Sequence, residues 1–251
     1  MYDVRRLKKT DGSLVDAICD SLKTAYDPNV ARFFVHRDEG YKKFFNSVLE
    51  HPLYATYYAY DVNSGELSGF ACFQFIEGVI FLKHIVVDNR LRGSGIGTRL
   101  LASGLADIQQ TLPTGNYLFQ LQVFEKNSQA LSWYLSIGME LVDCTYWYDL
   151  TPSIVKTHAS GSTPSLSLRI ISDDFGFKQL SYEDFYLGTL LAEKTLIIRN
   201  ALVLDKLDLL GQVIQQLHIS SVGYISQTAL NFSLVDKALL MSKPVNFLEL
   251  V

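Results

Sequence analysis

The chain has 251 residues, 48% of them hydrophobic and 19% charged, which is enough apolar content for one large domain or two modest ones with packed cores. A net charge of −4 gives no basic footprint for a nucleic-acid backbone, and no run reaches the about 18 apolar residues of a membrane span, so the expectation is a cytoplasmic protein with neither nucleic acid nor membrane as a partner. Cys19, Cys72 and Cys144 are odd in number, widely spaced and apart from histidines, which sets aside a disulfide framework and a metal site.

Residues 2–7 alternate as a short first strand. Asp11, Gly12 and Ser13 then supply a cap, and Leu14, Ile18, Leu22 and Tyr26 fall near one face of a helix that is expected to end at Pro28. A second amphipathic helix is predicted from about Arg37, in a stretch carrying Phe33, Phe34, Tyr41, Phe44 and Phe45; these aromatics suit a core better than a pocket lining. Strands at 55–61 and 67–76 are joined by Asn63, Ser64, Gly65 and Glu66, whose Asn and Gly favour a tight reversal.

The next stretch, residues 81–101, organises the chain. It starts as a β-branched apolar run, passes Gly93, Gly95 and Gly97, and continues with Ile96, Leu100, Leu101 and Leu105 on one helical face. A glycine turn feeding a helix lets successive amides point the same way, and the first-turn N–H groups have no partner within the helix, so the turn is a cradle for an anion such as phosphate. No lysine follows the last glycine as a P-loop requires. The spacing is G-x-G-x-G rather than the dinucleotide G-x-G-x-x-G, with no acidic residue ending a second strand about twenty positions on. What remains is R-x-x-G-x-G, met by Arg92, Gly95 and Gly97.

A break at 113–116 precedes an alternating strand at 117–124. Asn127, Ala130, Tyr134, Gly138 and Met139 then fit the pattern N-x-x-A-x-x-x-Y-x-x-x-G-F in all but the last residue, with a helix from 128 to 137 and a strand from 141 to 150. Together the two motifs resemble those of the GNAT superfamily of acyl-CoA-dependent N-acetyltransferases. The resemblance implies an α/β (α+β) fold with a mixed, mostly antiparallel central sheet flanked by helices over residues 1–150.

It also implies acetyl-CoA, or a related acyl-CoA, as cosubstrate without a metal. The backbone of Gly93, Ser94, Gly95, Ile96, Gly97 and Thr98 would hold the pyrophosphate, with Arg90, Arg92 or Arg99 adding charge, and Ile85, Val86 and Val87 would present backbone groups to the pantetheine arm. Asn127 would cap its helix or touch the pantetheine, and Tyr134 would protonate the leaving thiolate, a transfer that its reference pKa near 10 suits. A strand glutamate common in the family as general base is missing here. His84 is the candidate in its place, with Glu77 as the fallback. The implied activity is transfer of an acetyl group to a primary amine of a small molecule or protein; the alternative, given the missing glutamate, is a catalytically weak CoA-binding regulatory or interaction protein.

Residues 151–165, with Pro152, Gly161 and Pro164 among Ser and Thr, read as a linker. Residues 166–251 read as a smaller α/β unit, for acceptor recognition or for homodimerisation. Strands are expected at 166–171, 175–180, 195–204 and 222–225, with a helix at 207–217. A likeness between residues 130–135 and 229–234 raises a degenerate GNAT-like second half, one lacking R-x-x-G-x-G and hence a second CoA cradle.

Overall fold

The computed structural model describes residues 2–157, 165–192 and 194–247. The first half runs β1 (Tyr2–Arg6), α1 (Gly12–Thr24), α2 (Pro28–Ala31), α3 (Gly40–Val48), β2 (Tyr54–Asp61), β3 (Leu67–Ile76), β4 (Val79–Val87), α4 (Ile96–Thr111), β5 (Gly115–Phe124), α5 (Ser128–Ser136) and β6 (Glu140–Asp149). The second half runs α6 (Thr151–Thr157), β7 (Leu168–Ser172), β8 (Lys178–Tyr182), β9 (Phe185–Leu191), β10 (Thr195–Ile198), α7 (Leu207–Leu217), β11 (Ser221–Ser226) and β12 (Ser233–Phe247).

All of these strands join one sheet, in the order β1-β2-β3-β4-β5-β12-β6-β11-β10-β9-β8-β7. Among the described residues only β4–β5 and β10–β11 run parallel, so the sheet is mixed and mostly antiparallel. The order has an internal symmetry. Next to the parallel pair of the first half lies β12, the last strand of the second; next to the parallel pair of the second half lies β6, the last strand of the first. The halves exchange their final strands, and β12 pairs with β5 from Ala238↔Phe124 to Phe247↔Gly115 and with β6 on its other edge.

Helices α4 and α5 cover one face of the first half, burying Ile96, Leu100, Leu101, Ile108 and Tyr134 against Phe73, Ile80, Phe119, Leu121 and Met241. On another side, α1 and α3 bury Val15, Ile18, Leu22, Tyr41 and Phe45 against Tyr58 and Phe70. The second half has its own core, in which Ile154 of α6 and Leu210 and Val213 of α7 meet Leu180, Leu187, Leu196 and Val222. Ile154 shows that the stretch expected as a linker opens with a packed helix; residues 158–164 lie outside the described residues.

The segment around α2 is held by strands of both halves. Val30 and Phe33 pack with Leu191, Ile197 and Val235, Arg32 pairs with Asp149 at 2.9 Å, and the Ala192 N–H donates to Asp38 Oδ2 at 3.0 Å. Gly223 is required here, since a Cβ would lie 2.5 Å from the Phe33 ring.

Several expectations shift. Helix α1 ends at Thr24, and Pro28 instead opens α2, where its missing N–H costs nothing. The strand expected at 195–204 stops at Ile198, because the Asn200 side chain accepts from the Leu202 N–H and starts a 3-10 turn at Ala201–Lys206. Neither β9 nor the long β12 is among the expected strands. The likeness of 229–234 to 130–135 is not one of local structure: the latter lies within α5, whereas 229–232 is non-helical and 233–234 begins β12.

Met241 is fully buried at the centre of β12. Met241→Ala is expected to cost about 2–5 kcal/mol. Because β12 lies between strands of both halves, urea unfolding followed by Trp133 and Trp147 fluorescence and by far-UV dichroism is expected to give coincident curves at a lowered midpoint.

Candidate functional site

The site begins where β4 and β5 part. Their parallel pairing runs from Val79↔Leu118 to Leu82↔Leu121 and stops there. At the same point β4 carries a bulge against β3: Cys72 pairs with His84 and Phe73 with Leu82, so Lys83 is the extra residue. A bulge bends its strand and turns the later residues in a new direction. From Lys83 onward, residues 83–87 and 122–124 line the two sides of a cavity of about 670 Å³, which also reaches the start of α4, the inner face of α5 and the end of α1.

At the mouth of this cavity the glycine turn takes the shape the sequence implies. Gly93 and Gly95 have φ of +80° and +82°, backbone that favours glycine, and Gly95 is the N-cap of α4 with no side chain capping the helix. The first-turn amides are therefore left to an outside acceptor. Gly93, Gly95, Ile96, Gly97 and Thr98 line the cavity. Ser94 does not, and its hydroxyl donates to the Leu91 carbonyl at 2.5 Å. Of the three arginines, Arg90 is held by Asp88 at 2.7 Å and keeps that carboxyl down at about 2, and Arg99 donates to the Tyr2 carbonyl; Arg92 alone lines the cavity.

Ile85, Val86 and Val87 line the cavity from β4, and Asn127 from the start of α5, where its side chain accepts from the Ala130 N–H at 3.2 Å. The cap and a ligand contact are thus compatible. Tyr134 is buried on α5 beside Trp133, their ring centroids 4.9 Å apart, and its hydroxyl has no hydrogen-bond partner among the described residues. Burial raises its pKa, which keeps the phenol protonated.

His84 Nδ1 lies 2.8 Å from the Tyr26 hydroxyl, and the His84 ring stands edge-on to His36 at 4.6 Å. Burial, then the neighbouring His36 and Lys83, pull the His84 pKa well below its ordinary value, so this imidazole is neutral at physiological pH. If Nδ1 donates to Tyr26, the lone pair is on Nε2. Glu77 is not near the site: it sits in the exposed turn between β3 and β4, at the opposite end of β4 from the glycines.

The lining also contains residues the motifs did not mark: Tyr26, Asp27, Val30, Phe124, Lys126 and Trp133, together with Asp236 from β12. None of Phe33, Phe34, Tyr41, Phe44 or Phe45 lines it; Phe33, Tyr41 and Phe45 are buried in core. Cys19, Cys72 and Cys144 are free, no metal-ligating cluster exists among the described residues, and no described helix is long and apolar enough to cross a membrane.

His36, next to His84, is 7% exposed and its Nδ1 has no partner; burial lowers its pKa from 6.5 to about 4. The unfolded chain therefore binds the proton that the folded chain refuses, and stability present above pH 6.5 is lost as pH falls towards 4, by at most about 1.4 kcal/mol per pH unit. Melting temperatures across this range are expected to fall with pH, and less steeply in His36→Phe.

A family model described as the acetyltransferase (GNAT) family matches residues 16–139. No curated protein sequence matches the chain. Among solved structures, a tandem GNAT protein from the clavulanic acid biosynthesis pathway shares 12% identity and a TM-score of 0.63, with 97% of this chain and 98% of that one covered. The PaiA N-acetyltransferase from Thermoplasma acidophilum, solved with coenzyme A, shares 18% identity at a TM-score of 0.47 over 57% of this chain and 92% of its own. The ribosomal-protein-S18-alanine N-acetyltransferase from Escherichia coli shares 20% identity at 0.42 over 57% and 81%. With the parted strands, the glycine turn and α5 all inside the matched segment, residues 16–139 are an acetyltransferase domain of the GNAT family.

Proposed function

We propose that the protein is an N-acetyltransferase that binds acetyl-CoA between β4 and β5 and transfers its acetyl group to a primary amine by direct attack. The observation that carries this reading is one continuous cavity joining the left-handed glycine turn to Tyr134 and His84. The pyrophosphate would sit on the amides of Gly93, Gly95, Ile96, Gly97 and Thr98 with Arg92 beside it, and the pantetheine would run along residues 85–87, whose backbone has lost its β5 partner.

In the reaction, the amine nitrogen bonds to the thioester carbonyl carbon while a β4 amide stabilises the oxyanion, and the carbon–sulfur bond then breaks. His84, neutral as burial keeps it, takes the proton from the amine directly or through water. Tyr134 donates towards the departing sulfur. A phenol raised by burial is a weaker acid, but a thiolate leaving into the same water-poor cavity is desolvated as well, which narrows the gap between donor and acceptor. His84 and Tyr134 thus divide base and acid between the two sides of the cavity, which favours catalysis over a purely regulatory CoA-binding role.

Gly95→Glu places a carboxylate in the cradle and a side chain on positive-φ backbone. Two like charges at 4 Å repel by about 4 kcal/mol at an effective dielectric of 20, on the order of a thousandfold in Kd. Calorimetric titration of acetyl-CoA is expected to show binding in the wild type and none measurable in the variant; wild type without binding would overturn the reading.

In a thiol-release assay over an amine panel, Tyr134→Phe and His84→Gln are each expected to lower kcat by about a hundredfold while acetyl-CoA still binds. Tyr134→Phe breaks no internal hydrogen bond, so its melting temperature is expected to match the wild type. Unchanged turnover in both variants would remove their assigned roles.

A further inference from the structure

The second half contributes one charged group to the cavity, Asp236 of β12. It sits where β12 bulges against β6: Leu234 pairs with Tyr148 and Asp236 with Trp147, which leaves Val235 as the extra residue. Val235 turns into the cluster around Val30 and Phe33, and Asp236 faces the cavity beyond the end of β5.

Asp236 is 3% exposed, yet its bonding is half complete. Oδ1 accepts the Lys237 N–H at 2.8 Å and the Lys126 N–H at 3.4 Å. Oδ2 has no partner among the described residues and is not fully sealed from solvent, and the residue lines the cavity. Neither neighbouring lysine forms an ion pair with it among the described residues. Lys126 Nζ donates to the Val235 carbonyl, and Lys237 Nζ pairs with Glu125 at 3.1 Å. A largely buried carboxylate with an open oxygen and no ion-pair partner among the described residues can take a cationic group of a ligand, even with Lys83 and Lys126 elsewhere in the lining.

Resting on the acetyltransferase reading, we propose that Asp236 is a specificity-determining residue that binds a second cationic group on the amine acceptor, so that the preferred substrates are small amines bearing a further positive charge. Asp27, an exposed residue whose carboxylate accepts the Asn29 N–H at the start of α2, also lines the cavity. Through the strand exchange, the acceptor site of the first half is finished by the second.

The test uses the full chain, acetyl-CoA and three four-carbon probes of matched length: 1,4-diaminobutane, 1-aminobutane and 4-aminobutanoate. The wild type is expected to show kcat/KM at least tenfold higher for the diamine than for the monoamine, with the amino acid poorest. Asp236→Asn keeps an oxygen for the two backbone donors and removes only the charge. It is expected to erase that preference mainly through KM, with melting temperature and acetyl-CoA affinity unchanged.

A preference that survives in Asp236→Asn, a wild type without the preference, or a wild type that binds acetyl-CoA but turns over none of the three overturns this proposal and leaves the cofactor site standing. A wild type that does not bind acetyl-CoA overturns the acetyltransferase reading itself. Asp236→Glu is expected to retain part of the diamine preference, a rescue that a merely structural carboxylate would not give.

Discussion

Strand β5 loses its β4 partner after Leu121 and nevertheless continues to Phe124, because β12 pairs with it from the other side at Leu240↔Gln122, Leu239↔Val123 and Ala238↔Phe124. An unpaired strand end beside a cavity would shed backbone hydrogen bonds to water and fray. Here one edge of the strand can stand open to a ligand because the opposite edge is fully paired. The cleft between β4 and β5 thus depends on a strand that arrives more than a hundred residues later in the chain.

The same dependence runs through the helices on the α1–α2 side of the cavity. The end of α1, the turn around Asp27 and helix α2 line or flank the cavity, and they are fixed by contacts to both halves, through the Arg32–Asp149 pair with β6, the Phe33 ring on Gly223 and the Asp38 carboxylate on the Ala192 amide. Each is individually modest, the ion pair especially, since it is partly exposed. Their combined effect is to hold the wall of the site by packing on both halves at once.

Local chemistry was legible in the sequence wherever the signal is short in range. Positive φ at Gly93 and Gly95 follows from a glycine-dense strand-to-helix turn, and Tyr134 follows from its spacing to Asn127 and Gly138. The bounds of β3 and α7 fall where periodicity places them. Strand β9 escaped because the reversals on either side of it put Glu183 and Ala192 at positive φ, residue types that do not announce a turn as glycine or asparagine would. The choice of Arg92 over Arg90 and Arg99 needed the competing partners Asp88 and Tyr2. Asp236 was out of reach entirely, since strand pairing is set by partners distant in sequence and nothing local marks β12 as the neighbour of β5.

The symmetry of the sheet sharpens the contrast between its two parallel pairs. β10 and β11 stay paired from Thr195↔Ser221 to Ile198↔Tyr224, with no parting along the length of β10. The connection leaving β10 carries the Asn200 cap and a fully buried Val203 in place of glycines, and Val203 packs into the core with Leu210 and Val213. A buried valine and a capped turn stabilise a core; a left-handed glycine turn with uncapped amides costs conformational entropy and is retained where a ligand repays it. The first half keeps that open and costly arrangement, while the second keeps the strand order and fills its equivalent connection with core. The second half acts on the site through β12, whose backbone holds the cleft open and whose Asp236 lines it.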